Sequence, residues 1–270
     1  ARYDSSRFPG KVLKKIGKLS MLECVYNNAV KSNASEVFIA TDSDIIFKEA
    51  RAFTNKVIMT SCLNKNGTER VAELANILRW EDSELVINLQ ADMPELKYDN
   101  INYLAEKSIN NKGLSTLYYP LSSPLLSSDK NTVKIEVDGN SINFYRVLSD
   151  SVDTTNIYKH IGIYAYQVKD LFLYQSYPQS ENEISLSLEQ CRFLDNQLKI
   201  QAYKAVSDPG ISVDSVDNLN EMNNVLFKTK APTKEQIAVS LTFNKSKVIA
   251  RGEDFLAKKL PERSSKVYGT

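Results

Sequence analysis

The chain has a single histidine, His160, so a metal site built on several imidazoles is excluded. Its three cysteines, Cys24, Cys62 and Cys191, are too few and too scattered for a disulfide framework, and no CxxC pair offers a zinc site. They read as free thiols of a reducing compartment. Excess charge is missing as well. With 34 basic residues against 33 acidic ones the net charge is +1, which leaves no broad electrostatic footprint for a nucleic acid or a membrane surface. Phosphate binding must then be local. No apolar run is long enough to span a bilayer and no signal-peptide pattern is present, so the expectation is a cytoplasmic protein with neither nucleic acid nor membrane as partner. No internal repeat is visible. An initiator Met is also lacking at Ala1. Because phosphate loops of α/β proteins follow a buried strand, a first strand is expected upstream of the sequence given.

What is present is an ordinary globular composition: 270 residues, of which 42% are hydrophobic, can bury the core of one large domain or of a domain with an attached lobe. The first helix is expected at Ser20, where Ser20 and Glu23 have capping-box spacing and Leu22, Val25, Tyr26 and Ala29 share one face. An apolar strand over Glu36 to Thr41, a helix through Ala50 and Phe53, a strand over Val57 to Thr60, a helix from Thr68 and a strand over Leu85 to Leu89 follow. Apolar strands alternating with amphipathic helices predict an α/β fold with a mostly parallel sheet and helices on both faces. After about Pro120 the rhythm changes. Val133 to Val137, the turn Asp138-Gly139-Asn140 and Ser141 to Tyr145 read as a β-hairpin within an inserted lobe of about residues 120–160. A strand at Ile161 to Tyr166, a helix near Leu186 to Leu194, a strand at Leu198 to Ala205 and a helix from Val216 to Phe227 return to the main layer. Residues 1–227 are therefore expected to form the main domain, and 228–270 an appended tail, basic and weakly periodic, to which no role is assigned.

Four places carry candidate chemistry. Arg2, Arg7 and Lys11 bracket Ser5, Ser6, Pro9 and Gly10, so one short loop offers cations and hydroxyls to a triphosphate; a solvated basic loop is the plain alternative. Asn66-Gly67-Thr68-Glu69-Arg70 sits at a helix start, where backbone N–H groups can grip an anion or a base edge, or where Asn66 or Thr68 simply caps the helix. Asp92 lies just beyond the strand Leu85 to Leu89, on the side where α/β sheets bind ligands, and Asp214 follows Val213 at what reads as another strand end. Two such aspartates can share one Mg²⁺, although each alone also suits a turn or an N-cap. Finally, period-two alternation puts His160, Gly162 and Tyr164 on one strand face able to hydrogen-bond a sugar, while a lone histidine is also compatible with a structural role.

These segments together resemble the cytidylyltransferases that make CMP-Kdo from CTP and 3-deoxy-manno-octulosonate (Kdo). The resemblance runs in unbroken order over about residues 1–224 through ARYDSSRFPGK, VFIATD, NGTERVAE, VINLQADMP, NTVKIEV, FYR, KHIGIYAY, LEQCR and PGISVDS. It implies a nucleotide-diphospho-sugar transferase fold, a homodimer formed through the hairpin lobe, Mg²⁺ as cofactor and a place in lipopolysaccharide synthesis. It further implies that Arg2, Ser5, Arg7 and Lys11 bind the triphosphate, that Asn66, Thr68 and Gln90 lie near the cytidine, and that Asp92 and Asp214 bind the metal. Lys134, Arg146, His160, Tyr164, Glu189 and Gln190 would surround the sugar acid, and Arg2, Lys11 and Asp92 would serve the reaction directly. The chain departs from the family pattern at Asn66 for Ser, Ala91 for Gly and Met93 for Glu, the last removing a carboxylate from the metal's expected surroundings. Leu186 stands in place of a Glu, and VLSDSVD replaces a Pro-containing segment after Arg146. These last changes fall on the sugar side, which keeps amino-Kdo or a nonulosonate open as the acceptor; Met93 and Leu186 keep a non-catalytic nucleotide-binding homologue open.

Overall fold

The computed structural model describes residues 1, 8–121, 129–149 and 154–228, with side chains as far as 224. Residues Ala1–Met222 form one compact unit, and a second begins at Asn223. Arg2, Ser5 and Arg7, parts of the expected lobe, and the tail from 229 lie outside the described residues.

Two small sheets open the chain. β1 (Lys15–Ile16) and β2 (Leu19–Ser20) pair antiparallel and lead into α1 (Met21–Val30), whose Glu23 N–H is accepted by Ser20 Oγ at 3.2 Å, the cap expected there. β3 (Ile39–Thr41) and β4 (Val57–Met59) run parallel, joined by α2 (Asp44–Arg51). Val12, Leu22, Ile39, Ile46, Ala50 and Val57 form the cluster that covers them.

The main sheet is organised around one long strand. β5 (Leu85–Leu89), α3 (Gly67–Leu78) before it and α4 (Tyr98–Ser108) after it lead to β6 (Leu114–Tyr119), the hairpin β7 (Lys134–Asp138) and β8 (Ser141–Tyr145), and then β9 (Ile157–Gln167). At eleven residues, β9 is long enough to carry β6 along one edge and both β5 and β7 along the other. β10 (Ile200–Lys204) extends the sheet in parallel beyond β6. Even residues of β9 send Tyr164 and Tyr166 into a cluster with Ala72, Leu171, Tyr174, Leu188 and Phe193, under α3 and α5 (Val168–Ser176). Odd residues send Ile161, Ile163 and Ala165 into a second cluster with Met93, Leu96, Ile101, Leu104 and Leu117, under α4. Both faces are buried, which is why KHIGIYAY reads as a nearly unbroken apolar run.

The α/β class, helices on both faces and the hairpin with its Asp138-Gly139-Asn140 turn are as expected, but four details change. The sheet is mixed: β5, β6, β7 and β10 share a direction and β9 runs against them, because it meets three neighbours antiparallel. The hairpin continues the main sheet by pairing Glu136 with Ile157 and Lys134 with Lys159. The single helix expected near Leu186 to Leu194 is two short ones, α6 (Glu181–Leu186) and α7 (Cys191–Asp195), because Ser187 turns left-handed at φ 53 and sends Glu189 and Gln190 inward. Asp214 does not end a strand. Its segment is a loop between β10 and α8 (Val216–Lys228), tied by Val213 N–H to the Asp92 carbonyl at 2.9 Å instead of joining a ladder.

Candidate active site

The site begins where β5 ends. Asp92 is three residues beyond Leu89, and the loop before α8 brings Asp214 to face it. Lys11 stands between them, its Nζ 2.7 Å from Asp92 Oδ2 and 2.9 Å from Asp214 Oδ1, with all three side chains mostly buried. Burial opposes the charge on Lys11, but attraction and hydrogen bonds from the two carboxylates outweigh it and raise its pKa above the ordinary lysine value. Two hard carboxylate oxygens facing one point are the donor type that a Mg²⁺ ion selects. Among the described residues no group of three or more His, Cys, Asp or Glu is arranged to hold a metal, so an ion between Asp92 and Asp214 would take its other ligands from phosphate and water. The donors fit Mg²⁺ on those terms. Met93, where a carboxylate is expected by resemblance, is packed in the cluster under α4 with 4% exposure.

A second group gathers at the start of α3. Asn66 Oδ1 accepts the Glu69 N–H at 2.9 Å, capping the helix, while its Nδ2 donates to Tyr174 Oη at 2.7 Å and Glu183 Oε1 at 2.8 Å. Thr68 is buried, and its N–H donates to Glu189 Oε2 at 2.8 Å, so a carboxylate sits on the positive end of the helix. Gln90 Nε2 reaches the other oxygen of Glu189 at 3.4 Å. The Gln90 amide lies against Gly162, where a Cβ would stand 3.1 Å from it, so a larger residue there would push the Gln90 side chain by a few tenths of an ångström. Gln90 thus links the group at the start of α3 to β9, the strand expected to face the sugar.

On that strand, His160 and Tyr164 have ring centroids 5.7 Å apart. Tyr164 Oη donates to Gln190 Oε1 at 3.1 Å, while Gln190 Nε2 is buried with no hydrogen-bond partner among the described residues, a donor open to a ligand oxygen. His160 Nε2 and Thr116 Oγ1 are 2.9 Å apart, and the same hydroxyl lies 3.2 Å from Ile161 O and 2.8 Å from Ile163 O, so the ring is hydrogen-bonded within the sheet. Burial, and secondarily the charge of Arg146, push its pKa down to about 3, so it is an uncharged hydrogen-bonding group at neutral pH. Lys134 donates to the carbonyls of Asp129 and of Arg146. Arg146 donates through Nε to Leu186 O and through Nη2 to Ser187 O, both at 3.0 Å, fastening the hairpin to the turn that delivers Glu189 and Gln190. Of the fifteen residues given site roles from the sequence, twelve are described: Lys11, Asp92 and Asp214 meet beyond the end of β5, Asn66, Thr68, Gln90, His160, Tyr164, Glu189 and Gln190 gather over one sheet face, and Lys134, paired with Lys159 and so based on the other face, joins Arg146 at the hairpin.

The sequence reading missed the support beneath them. Arg192, 1% exposed, donates through Nε and Nη2 to both oxygens of Glu183 at 2.6 and 2.8 Å, reaches Glu69 Oε1 at 2.8 Å, and lies 4.2 Å over the Tyr174 ring. Asn66 therefore caps α3 within a network anchored by a buried ion pair. The one signal was an arginine inside the apolar text of LEQCRFL, which must find acids if it is buried. Arg70 is similar, holding Asp42 Oδ2 and Thr60 Oγ1 at 2.6 Å after β3 and β4.

A central mixed sheet, helices on both faces and paired aspartates under a lysine at the end of β5 define a nucleotidyltransferase-type α/β protein. The family profile described as Cytidylyltransferase matches residues 1–200. A 3-deoxy-manno-octulosonate cytidylyltransferase of Leptospira interrogans is 37% identical over 226 residues, covering 81% of this chain and 90% of the relative. One from Fusobacterium nucleatum is 36% identical, covering 84% and 94%. A solved structure of CMP:2-keto-3-deoxy-manno-octonic acid synthetase complexed with CTP superposes with a TM-score of 0.75 at 30% identity, over 84% of this chain and 96% of that one. The chain belongs to the 3-deoxy-manno-octulosonate cytidylyltransferase family, as its motifs imply.

Proposed function

We propose that this chain transfers CMP from CTP to the anomeric hydroxyl of Kdo and releases pyrophosphate, acting as a cytoplasmic homodimer that feeds lipopolysaccharide assembly. The observation that carries this reading is the meeting of Lys11, Asp92 and Asp214 at the carboxyl end of the sheet. Asp92 and Asp214 would hold Mg²⁺, which when bound supplies a Lewis acid for the triphosphate and lowers the pKa of the attacking hydroxyl. Lys11 exchanges its two carboxylates for the triphosphate, with Arg2, Ser5 and Arg7 in the same loop. The sugar hydroxyl attacks the α-phosphorus in line and gives up its proton to water, no side chain among the described residues being placed as a general base, while the P–O bond to pyrophosphate breaks and pyrophosphate leaves. Asn66, Thr68 and Gln90 lie on the cytidine side, with Thr68 acting through the helix start that it and Glu189 complete. His160 and Tyr164, with Gln190 Nε2, offer hydrogen bonds to the sugar, and Lys134 and Arg146 supply the positive potential that an acid requires. Effective positioning of two reactants accounts for about 7–11 kcal/mol of a barrier, so the protein needs no covalent intermediate.

The test is pyrophosphate release from CTP, Mg²⁺ and Kdo, with UTP and ATP as nucleotide controls and amino-Kdo and a nonulosonate as alternative acids. Kdo-dependent release specific to CTP supports the proposal. Release only with another acid would move the assignment along the sugar side, where Leu186 differs from the family pattern. CTP binding with no turnover on any acid would make the chain a nucleotide-binding homologue.

A further inference from the structure

Asp214 has no regular element to place it, since the residues from Ala205 to Ser215 belong to neither strand nor helix. Its position nevertheless has to match that of Asp92 to within a hydrogen bond of one ammonium. The segment before it is held at successive backbone groups. Asp208 Oδ1 accepts the Gly210 N–H at 2.8 Å, Lys159 Nζ donates to Gly210 O at 3.0 Å, and Glu95 Oε2 accepts the Ile211 N–H at 3.0 Å. Gly210, at φ 73, lies so close to Glu95 that a Cβ on it would stand 2.4 Å from the Glu95 Cβ. No other residue type combines that backbone angle with that approach.

We propose that Glu95 and Lys159 are positioning residues that clamp the Gly210–Ile211 backbone and so set Asp214 opposite Asp92. Glu95 stands three positions after Asp92, so one short stretch provides a metal-side carboxylate and one jaw of the clamp. The other jaw comes from β9, where Lys159 adjoins His160 but points to the opposite sheet face by period-two alternation. The same strand therefore serves the sugar side with one residue and the Asp214 loop with its neighbour. Lys159 is half-buried; burial lowers its pKa, and the nearby acids Asp208 and Glu95 counter that only in part. This inference rests on the proposed role of Asp92 and Asp214.

The test uses the full chain and Mn²⁺ alone, titrated by its electron paramagnetic resonance signal, with Asp214→Asn as the reference for loss of a ligand. Lys159→Met and Glu95→Leu are expected to weaken Mn²⁺ binding by about 10-fold, as loss of outer-sphere support does. Both should lower kcat while leaving the KM for the sugar acid within about twofold, and faster amide hydrogen exchange at residues 210–214 should accompany this. Lys159→Arg, which can still donate to Gly210 O, should restore most of the affinity. Unchanged Mn²⁺ binding in Lys159→Met and Glu95→Leu overturns the inference. So does a loss that follows the melting temperature and is not recovered in Lys159→Arg. If the chain forms no product from any acid, the Mn²⁺ and exchange measurements still decide this point, because neither requires turnover.

Discussion

Lys11 Nζ lies 2.7 Å from Asp92 Oδ2 although 81 positions separate the two residues in the chain. The same nitrogen reaches Asp214, a further 122 positions on, at 2.9 Å. Two carboxylates that would repel one another are thereby held together around one cation, and under the proposed function a metal ion would take that ammonium's place.

That exchange gives the first prediction. Lys11→Met should increase Mn²⁺ affinity in the absence of nucleotide, because the ion no longer competes with an ammonium, while raising the KM for CTP through loss of a phosphate contact. Mn²⁺ titration with and without CTP checks both signs. Equal affinity in the two proteins would show that Lys11 does not occupy the ion's place.

Asp92→Asn and Asp214→Asn keep the size of the side chain and remove its charge. Each should reduce kcat by at least the ~10- to 100-fold that even an outer-sphere change at a metal site brings, with the urea midpoint little altered. Steady-state kinetics over a range of Mg²⁺ concentration should show partial recovery at high Mg²⁺. A variant with wild-type kcat at ordinary Mg²⁺ would remove that aspartate from the ligand set.

Arg192→Met should destabilise the protein by about 3–5 kcal/mol, because it leaves Glu183 buried beside Tyr174 without its cation. Asn66 would then lose its fixed orientation at the start of α3, so the KM for CTP should rise as well. Urea unfolding of Arg192→Met against the double variant Arg192→Met/Glu183→Leu separates the stranded charge from lost packing. The double variant should recover part of the loss.

The pH dependence of stability should carry the signature of His160. Its pKa is about 3 in the folded protein, against an ordinary value of 6.5, so the unfolded chain takes up the proton first as pH falls. Stability from the neutral ring is complete above about pH 6.5 and is lost progressively down to about pH 3, with a slope of at most about 1.4 kcal/mol per unit. His160→Gln should flatten the wild-type fall in melting temperature between pH 7 and pH 4. Identical profiles would show that the ring is not held neutral. Activity near neutral pH should show no ionisation from this residue.

The amino-acid sequence by itself determined the class of fold, the hairpin, the capped start of α1 and the family, because each depends on local signals: apolar periodicity, turn and cap residues, and short ordered motifs. It also put Asp92 just past the end of β5, since strand length and the Leu85 to Leu89 run locate that point. What it did not carry was direction and company. β9 runs against its neighbours because its place between β6 and β5 is set by packing on both faces, and neither face leaves a mark of strand direction in KHIGIYAY. Asp214 read as a strand end because ISV is apolar and β-branched, yet the loop leading to it is held by partners far away in the chain, Val213 N–H on the Asp92 carbonyl, Ile211 N–H on Glu95 and Gly210 O on Lys159. Arg192 appeared in the sequence only as part of LEQCR, and it is burial that forces it onto Glu183 and Glu69. Local chemistry was legible in the text, whereas the joining of Lys11, Asp92 and Asp214 required the sheet to bring three distant loops to one end.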